Sequence, residues 1–206
     1  YGTTACKWDT VIPFEPLWEQ YKRLIKSNGA IVLTASQPFT TSLIASNMAM
    51  FRYCWIWDKK FAGNFVNAKI APLKTYEDVV VFGSGKIKYF PQMTKRDKPI
   101  KSGKRANSRH ISGTDEVTIY QAEQKIYDTK YPTAIINIPR TVGEKVAHPT
   151  QKPVALFEYL IKTYTNEGEI VLDNCIGSGT TAIAALNTGR FFIGIEKEPK
   201  YVEIAR

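Results

Sequence analysis

The sequence predicts an α/β fold in which helices cover a largely buried sheet. Continuous apolar runs, such as AIVLTA at residues 30–35 and DVVVF at residues 78–82, are typical of strands in a covered sheet. Amphipathic segments with helical spacing lie between such runs. Near the carboxyl end, a glycine-rich turn follows an apolar run and precedes a helical segment. This alternation of strands and helices indicates a layered α/β architecture.

The first part of the chain predicts helices that alternate with strands. Apolar residues recur at helical spacing in the first helix, and Asn28-Gly29 ends it. In chain order, the predicted elements are a helix over residues 15–26, a strand over 30–35, a helix after Pro38, and strands over 52–59 and 78–82. Trp55 and Trp57 stand two residues apart, so they lie on one face of their strand. We expect them in the core rather than on a surface that stacks on bases.

The composition changes after Phe82, and from residue 83 to about residue 113 apolar periodicity is weak and cations are dense. Asp97 is the single acidic residue between positions 83 and 113. The cations are Lys86, Lys88, Lys95, Arg96, Lys98, Lys101, Lys104, Arg105 and Arg109. Such charge runs are often solvated, mobile insertions. Here aromatic and amide side chains are interleaved with the cations, and that mixture can contact phosphates and base edges together.

We expect regular structure to resume near Ile135. Pro153 suits the first position of a helix with one apolar face, and Gly168 closes that helix. The later elements are a strand over residues 170–172, a helix over 180–187 ended by Gly189, a strand over 191–195 and a final helix from Glu198-Pro199. The chain is therefore divided into residues 1–82, 83–134 and 135–206, with the basic segment inserted into one structural domain.

The turn within VLDNCIGSGTT, residues 171–181, has the composition of a nucleoside-binding loop. Gly177 and Gly179 allow a ligand to approach the backbone, and the following helix presents N–H groups at its start. Glu196 ends the next strand, where a carboxylate can accept both ribose hydroxyls. A P-loop is excluded because Thr180, not lysine, follows Gly179, and the GxGxxG dinucleotide pattern is incomplete.

Asp173 narrows the choice of ligand for this turn. A carboxylate at the carboxyl end of a buried strand is costly unless it meets a cation. S-adenosylmethionine is a nucleoside with a positively charged amino-acid tail and no phosphate, so it meets that requirement. On the residues alone, an NAD-type cofactor and a tight turn without a ligand remain alternatives.

The bulk properties exclude several classes of protein. The net charge of +9 suits a nucleic-acid partner. The sequence contains no apolar run of membrane-spanning length and no visible signal peptide, so we expect a cytoplasmic protein without a membrane partner. Cys6, Cys54 and Cys175 lack CxxC spacing, and we therefore expect reduced thiols and no metal site.

Five segments carry motifs that occur together in one known family. HPTQKP at residues 148–153 resembles motif X, DNCIGSGTT at 173–181 resembles motif I, and FFIGIEKEPKYVEIA at 191–205 resembles motif II. PLKTYEDVVVF at 72–82 resembles the strand before a recognition region, and the opening YGTTACKWD resembles the sequence after Asp-Pro-Pro in a catalytic motif. Together they resemble the β class of DNA amino-methyltransferases, which modify adenine N6 or cytosine N4.

The resemblance implies a Rossmann-like class I methyltransferase fold that is circularly permuted, with the basic segment as a target-recognition insertion. It implies S-adenosylmethionine as cofactor and double-stranded DNA as substrate, and homodimers are common among relatives. The implied catalytic positions are Tyr1 and Gly2. The implied cofactor contacts are Asp173, Cys175, Gly177, Ser178, Gly179, Thr180, Thr181, Glu196, Lys197, Thr150 and Lys152.

The resemblance also implies a mechanism and a setting. The target base is flipped out of the helix, Tyr1 stacks on it, and the methyl group passes directly to the exocyclic amine. Adenine is favoured over cytosine, in a prokaryotic or phage-type cytoplasm, near the nucleoid and in a restriction-modification context. Asn174 and Cys175 replace the Pro-Phe that is usual beside the cofactor.

Two competing interpretations follow from the residues. Because Asp-Pro-Pro does not precede Tyr1 in this sequence, the chain could be a truncated, inactive remnant that binds DNA. An NAD-linked oxidoreductase is disfavoured, since neither His110 nor His148 lies in a supporting motif. A covalent mechanism of the kind used for cytosine ring carbons is also disfavoured, because no cysteine follows a proline.

Overall fold

The computed structural model describes residues 10–63, 65–102, 106–110, 117–121, 124–140 and 151–205. The chain forms two compact units, of which one comprises Tyr1–Phe90 with Thr133–Arg206 and the other Pro91–Pro132. None of the helices in the described ranges combines the length and the apolar character that crossing a bilayer requires.

The first unit begins with helices and strands that follow the predicted order. They are α1 (Phe14–Leu24), β1 (Ile31–Ala35), α2 (Phe39–Ser46), β2 (Phe51–Gly63) and β3 (Lys74–Phe82), with a short 3-10 helix at Phe65–Asn67 between β2 and β3. Both β2 and β3 are longer than predicted. Their pairing continues beyond the apolar residues, as far as Gly63 opposite Lys74.

The second unit contains two antiparallel strand pairs. Its strands are β4 (Thr94–Lys101), β5 (Ala106–His110), β6 (Val117–Gln121) and β7 (Ile126–Lys130), with β4 paired to β7 and β5 paired to β6. The expectation that regular structure resumes only near Ile135 is therefore wrong. All residues of β4 except half-buried Arg96 are exposed, and a strand without a buried face lacks the alternation by which strands are recognised in a sequence.

The rest of the first unit matches the predicted elements, with one addition. Its elements are β8 (Ile135–Asn137), α3 (Val154–Tyr164), β9 (Ile170–Asp173), α4 (Thr180–Asn187), β10 (Phe191–Gly194) and α5 (Pro199–Ala205). The additional strand is β8, whose three residues are too few to show a period.

Four strands form the main sheet in the order β1-β3-β2-β8. β3 is antiparallel to both neighbours, with Ile31 of β1 and Phe51 of β2 each opposite Phe82, and β8 is parallel to β2. Consequently β1, β2 and β8 end, and β3 begins, at one edge, which we call the carboxyl edge. Ligands of α/β folds bind at such edges. β9 and β10 form a separate parallel pair.

Helices cover both faces of the main sheet, and the alternation of side chains along β3 explains the two cores. Val79 and Val81 face α3, whereas Val80 and Phe82 face α1 and α2. The first core contains Trp55, Trp57, Val79, Val81, Ile136, Leu156, Leu160 and Tyr164, and the second contains Trp18, Ile31, Ala35, Leu43, Met50, Val80 and Phe82. The predicted core position of Trp55 and Trp57 is confirmed.

Candidate functional site

The glycine turn lies between β9 and α4, where the sequence predicts a ligand-binding loop. Gly177 and Gly179 both have positive φ, 55° and 89°, a backbone conformation that side chains disfavour. Gly179 is also the N-cap of α4, and a Cβ there would lie 3.3 Å from the Cα of Ala205 in α5. Both conformation and space therefore require glycine at position 179.

Asp173 is held in place at the end of β9 by the turn that follows it. Its Oδ1 accepts a hydrogen bond from the backbone N–H of Cys175 at 2.9 Å, and its Oδ2 accepts one from the Thr181 hydroxyl at 2.5 Å. Thr181 is buried in the first turn of α4, next to buried Thr180. Strand, turn and helix are thus joined through one half-buried carboxylate.

Glu196 lies against the same turn from the other strand. Its Oε2 accepts a hydrogen bond from the N–H of Gly177 at 2.9 Å, and its Oε1 accepts from the N–H groups of Lys197 and Glu198 at 2.9 and 3.0 Å. These donors fix the orientation of the carboxylate. The structure therefore brings Asp173 and Glu196 to one turn, as the predicted nucleoside site requires.

A chain of polar contacts connects the glycine turn to the carboxyl edge of the main sheet. Ser178 donates to the side-chain oxygen of Gln151 at 3.3 Å. The next residue, Lys152, forms an ion pair with Glu77 at 3.0 Å, and Lys59 contacts Glu77 from its other side at 3.2 Å. Lys152, predicted as a cofactor contact, is thus placed beside a carboxylate of β3.

The electrostatics of Glu77 favour its charged form. Burial raises the pKa of this carboxyl, but Lys152 and Lys59 outweigh that effect and hold the pKa below its ordinary value. Lys152 also lies over the ring of Trp57, with 6.0 Å between its Nζ and the ring centroid. Glu77 is a site residue that was not predicted, and its signal in the sequence is the acidic pair Glu77-Asp78 that precedes the apolar run VVVF.

Helix α1 contacts the glycine turn through Tyr21, which the sequence analysis treated only as part of an apolar helix face. The Tyr21 hydroxyl donates to Oδ1 of Asn174 at 2.9 Å. Burial, followed by the nearby Cys175 and Asp173, raises the pKa of Tyr21 to about 12. Asn174 occupies a position where the related family usually has proline, and a proline side chain could not accept this bond.

The predicted DNA-binding cations are distributed over both units. Lys86 and Lys88 are in the first unit, where Lys88 forms an ion pair with Glu169 at 2.5 Å. Lys95, Lys98 and Lys101 are exposed on β4. Arg96 of that strand donates to the backbone oxygen of Thr129 at 2.8 Å, and Arg109 lies on β5 opposite Thr118.

Five predicted site residues lie outside the described part of the chain. They are Tyr1, Gly2, Lys104, Arg105 and Thr150. Cys175 is exposed at the turn, and the Nδ2 of Asn174 lies 3.7 Å from its Sγ. Across the described ranges, the side chains of His, Cys, Asp and Glu form no group of three or more that could hold a metal ion.

Comparison with known proteins relates both sequence and fold to DNA methyltransferases. The family model described as DNA methylase, N6_N4_Mtase, matches residues 6–206. The Type II methyltransferase M.HpaI of Haemophilus parainfluenzae is 25% identical over 212 residues, which cover 100% of this chain and 62% of that protein. M2.DpnII of Streptococcus pneumoniae is 52% identical over 59 residues, 29% of this chain and 22% of that protein. The chain spans less than two thirds of either relative.

Solved structures show the same fold. The M1.HpyAVI–SAM complex superimposes with a TM-score of 0.63 at 24% identity, covering 97% of this chain and 84% of that one. The cytosine-N4-specific PvuII DNA methyltransferase also gives a TM-score of 0.63, at 15% identity, covering 93% of this chain and 68% of that one. The predicted α/β methyltransferase fold is confirmed.

Proposed function

Since the chain belongs to the DNA methylase family of N6 and N4 amino-methyltransferases, we propose that it transfers a methyl group from S-adenosylmethionine to an exocyclic amine in double-stranded DNA. Adenine N6 is the proposed target, on the strength of the motif resemblance. One structural neighbour, the PvuII DNA methyltransferase, is specific for cytosine N4, so the test below identifies the base.

The observation that carries the proposal is the pair of oriented carboxylates at one glycine turn. A carboxylate has about four acceptor positions. Two are occupied on Asp173, by Cys175 and Thr181, and three on Glu196, by one N–H of the turn and two N–H groups after Glu196. Each carboxylate therefore retains acceptor capacity for a ligand. Asp173 suits the cationic amino-acid end of S-adenosylmethionine, and Glu196 suits its ribose hydroxyls.

The remaining residues of the turn fit this ligand as well. Gly177 and Gly179 supply the positive φ values that shape the turn around the two carboxylates. Ser178, Thr180, Thr181 and Lys197 lie in or beside the turn. Exposed Cys175 is a departure, because it replaces the aromatic ring that the motif resemblance implies beside the cofactor. When bound, the cofactor supplies an electrophilic methyl carbon attached to sulfonium. The solved complex of M1.HpyAVI with SAM supports this assignment by analogy of fold.

The protein's own contribution to methyl transfer is positioning. With the cofactor held by Asp173 and Glu196, the exocyclic amine would attack the methyl carbon, S-adenosylhomocysteine would leave with the electron pair of the carbon–sulfur bond, and the amine proton would pass to solvent. Holding both reactants in line removes most of the entropic barrier to such a step. From the resemblance of the opening residues to the family's catalytic motif, we assign Tyr1, which precedes Gly2, to stacking on the flipped base. The cytoplasm of a prokaryote, with a restriction enzyme of matching specificity, is the proposed setting.

The DNA surface is proposed to include the exposed cations of β4. Lys95, Lys98 and Lys101 can each bind a phosphate, and Asp97 is the only acidic residue in that strand. Each lost phosphate contact should lower the salt dependence of DNA binding by about 1 in the logarithmic slope. A variant in which the charge of Lys98 is reversed should show a smaller salt dependence of DNA binding. An unchanged logarithmic slope would contradict this part of the proposal.

The direct test uses the full-length protein with radiolabelled S-adenosylmethionine and unmethylated genomic DNA. Labelled DNA is digested to nucleosides, and mass spectrometry identifies the methylated base. We expect N6-methyladenine. Label in N4-methylcytosine would correct the target, and absence of label in DNA would overturn the enzymatic proposal.

The cofactor site is tested by the isosteric substitution Asp173→Asn. Loss of the charge should weaken S-adenosylmethionine binding at least tenfold in calorimetry, which corresponds to about 1.4 kcal/mol. Glu167→Gln, at an exposed carboxylate of the same unit, is the matched control and should bind normally. Equal affinities for the two variants would rule out the proposed role of Asp173.

A further inference from the structure

The chain between β2 and β3 exposes apolar side chains in a way that the site described above does not explain. We use the name β2–β3 loop for residues 59–74, KKFAGNFVNAKIAPLK, which include the last five residues of β2 and the first residue of β3 as well as the chain between them. Val66 is 96% exposed, Ile70 83% and Phe65 64%. Large apolar groups clustered at a surface mark interaction sites more often than scattered ones do.

The β2–β3 loop holds these side chains on ordered backbone. Phe65–Asn67 forms a 3-10 helix, and Ala68 donates its N–H to the oxygen of Phe65 at 3.1 Å. The N–H groups of Ile70 and Ala71 both donate to the oxygen of Asn67, at 3.0 and 2.9 Å. The exposed apolar side chains are therefore displayed by a hydrogen-bonded turn.

The charge of the loop points to the chemistry of its partner. It contains four lysines and no acidic residue. Lys59 and Lys60 have acidic neighbours at the base of the loop, Glu77 and Asp58. Lys69, on the exposed part of the loop, forms no ion pair with any acidic side chain that the structure describes. The same holds for Lys74, the half-buried first residue of β3, whose Nζ lies 5.7 Å from the ring centroid of Tyr76. A surface that combines uncompensated cations with apolar groups complements a polyanion with stacked bases.

Arg140 extends this cationic character at the base of the loop. Its N–H donates to the backbone oxygen of Lys59 at 3.0 Å, and its guanidinium carbon lies 5.9 Å from the ring centroid of Phe61. Arg140, too, has no acidic partner in the described ranges. The loop is therefore flanked by a further cationic side chain.

The loop also projects from the edge where the proposed reaction takes place. β2 ends and β3 begins at the carboxyl edge, so the loop leaves and re-enters the sheet there. The contact chain from the glycine turn through Gln151 and Lys152 reaches Glu77 and then Lys59, the first residue of the loop. DNA that presents a base to the cofactor therefore lies within reach of this edge.

We propose that the β2–β3 loop is a second DNA-binding element, in which Lys69, Lys74 and Arg140 bind phosphates and Val66 and Ile70 pack against the unstacked bases left by the extruded nucleotide. The inference rests on the proposed function, because it needs duplex DNA as substrate. Apolar side chains that enter a distorted base step are a known means of stabilising such DNA.

Two loop variants test the inference, one apolar and one charged. Val66→Ser with Ile70→Ser should weaken binding to radiolabelled fragments of unmethylated genomic DNA about fivefold to tenfold. Lys69→Ser with Lys74→Ser should reduce the salt dependence of binding by about 2 in the logarithmic slope. Leu24→Ser, at an exposed leucine on α1, is the matched control and should bind normally.

Three further measurements make the outcome decisive. Calorimetry with S-adenosylmethionine and urea unfolding should give wild-type values for the apolar variant, because Val66 and Ile70 are exposed. The charged variant should give values close to wild type, because Lys69 is exposed and Lys74 is half-buried. Unchanged DNA binding by both variants would overturn the inference, as would wild-type protein that binds no DNA. If the apolar variant sediments more slowly than wild type but binds DNA equally well, the loop would instead be assigned to contacts between copies of the chain. Wild-type protein that binds DNA but methylates none would overturn the proposed function alone.

Discussion

Strands β3 and β10 have similarly apolar sequences but opposite surroundings. VVVF at the end of β3 is completely buried, whereas all four residues of β10, FFIG, are exposed in the described structure. β3 lies inside the main sheet with helices on both faces. β10 pairs only with β9 among the described strands. An apolar run therefore predicts a strand, while its burial depends on elements far away in the sequence.

The two regions are consequently held together by different interactions. The main sheet is stabilised by two apolar cores. Around β9 and β10 the apolar cluster is small, with Ile161, Ala184 and Ala185 as its buried members. Polar contacts contribute more there, through Arg190 and Glu169. Four predictions examine this contrast, in order of decreasing effect.

The largest difference is expected between two Phe→Ala substitutions. Phe82 is 0% exposed and packs on Trp18, whereas Phe191 is 66% exposed. Phe82→Ala should lower the free energy of unfolding by about 3–5 kcal/mol. Phe191→Ala should lower it by less than about 0.5 kcal/mol. Urea unfolding measures both, and similar losses would show that β10 is covered in solution.

A smaller loss is expected at Arg190, which joins β10 to the end of α3. This buried guanidinium donates to the hydroxyl and the backbone oxygen of Thr165 at 3.0 and 2.8 Å, and to the backbone oxygen of Thr188. Arg190→Ala should cost about 2–3 kcal/mol. Arg190→Lys keeps the charge but not the planar set of donors, so it should recover only part of that loss. Full recovery would mean that charge alone matters.

Where α3 packs on the main sheet, a single hydroxyl should have a measurable effect. The Tyr164 hydroxyl accepts from Nε1 of Trp55 at 2.6 Å and lies 3.1 Å from the Tyr53 hydroxyl. Tyr164→Phe leaves the buried Trp55 N–H without that acceptor and should cost about 1–2 kcal/mol. Tyr53→Phe, at the exposed end of the pair, is the control and should cost less. Thermal unfolding measures both variants. A larger loss of stability for Tyr53→Phe than for Tyr164→Phe would contradict this account.

The smallest effect concerns Glu169, which precedes β9 and pairs with Lys88 and Lys26 from the main-sheet region. The hydrogen bond from Lys88, then that from the Asn166 N–H, lowers the pKa of Glu169 from 4.5 to about 2. A lowered folded-state pKa stabilises the fold above the unfolded value near 4.5, and this contribution is lost as pH falls toward about 2.

Glu169→Gln should therefore destabilise the protein by less than about 1 kcal/mol at neutral pH, because the pair is partly solvated. The difference from wild type should shrink as pH falls below 4.5. Unfolding free energies measured between neutral and acidic pH test this. A difference that is independent of pH would show that shape, not charge, is what the substitution removes.

Local patterns in the sequence were sufficient for most of the architecture. The helix α4 after the glycine turn matches its predicted bounds, and Asp173 and Glu196 meet at that turn as expected. The failures share a physical cause. β4 buries almost nothing, so its sequence has no strand period. Contacts such as Tyr21 with Asn174 join residues 153 positions apart, and no local pattern carries such information.

The contact between Tyr21 and Asn174 gives the protein a native optical probe. The ring of Trp18 lies edge-on to Tyr21, with 5.8 Å between their centroids. The indole of Trp18 thus contacts Tyr21, whose hydroxyl is hydrogen-bonded to Asn174 in the turn proposed to bind the nucleoside. Occupancy of that turn should alter the emission of Trp18, and Trp18→Phe should remove the signal, so titrations can be followed in unlabelled protein.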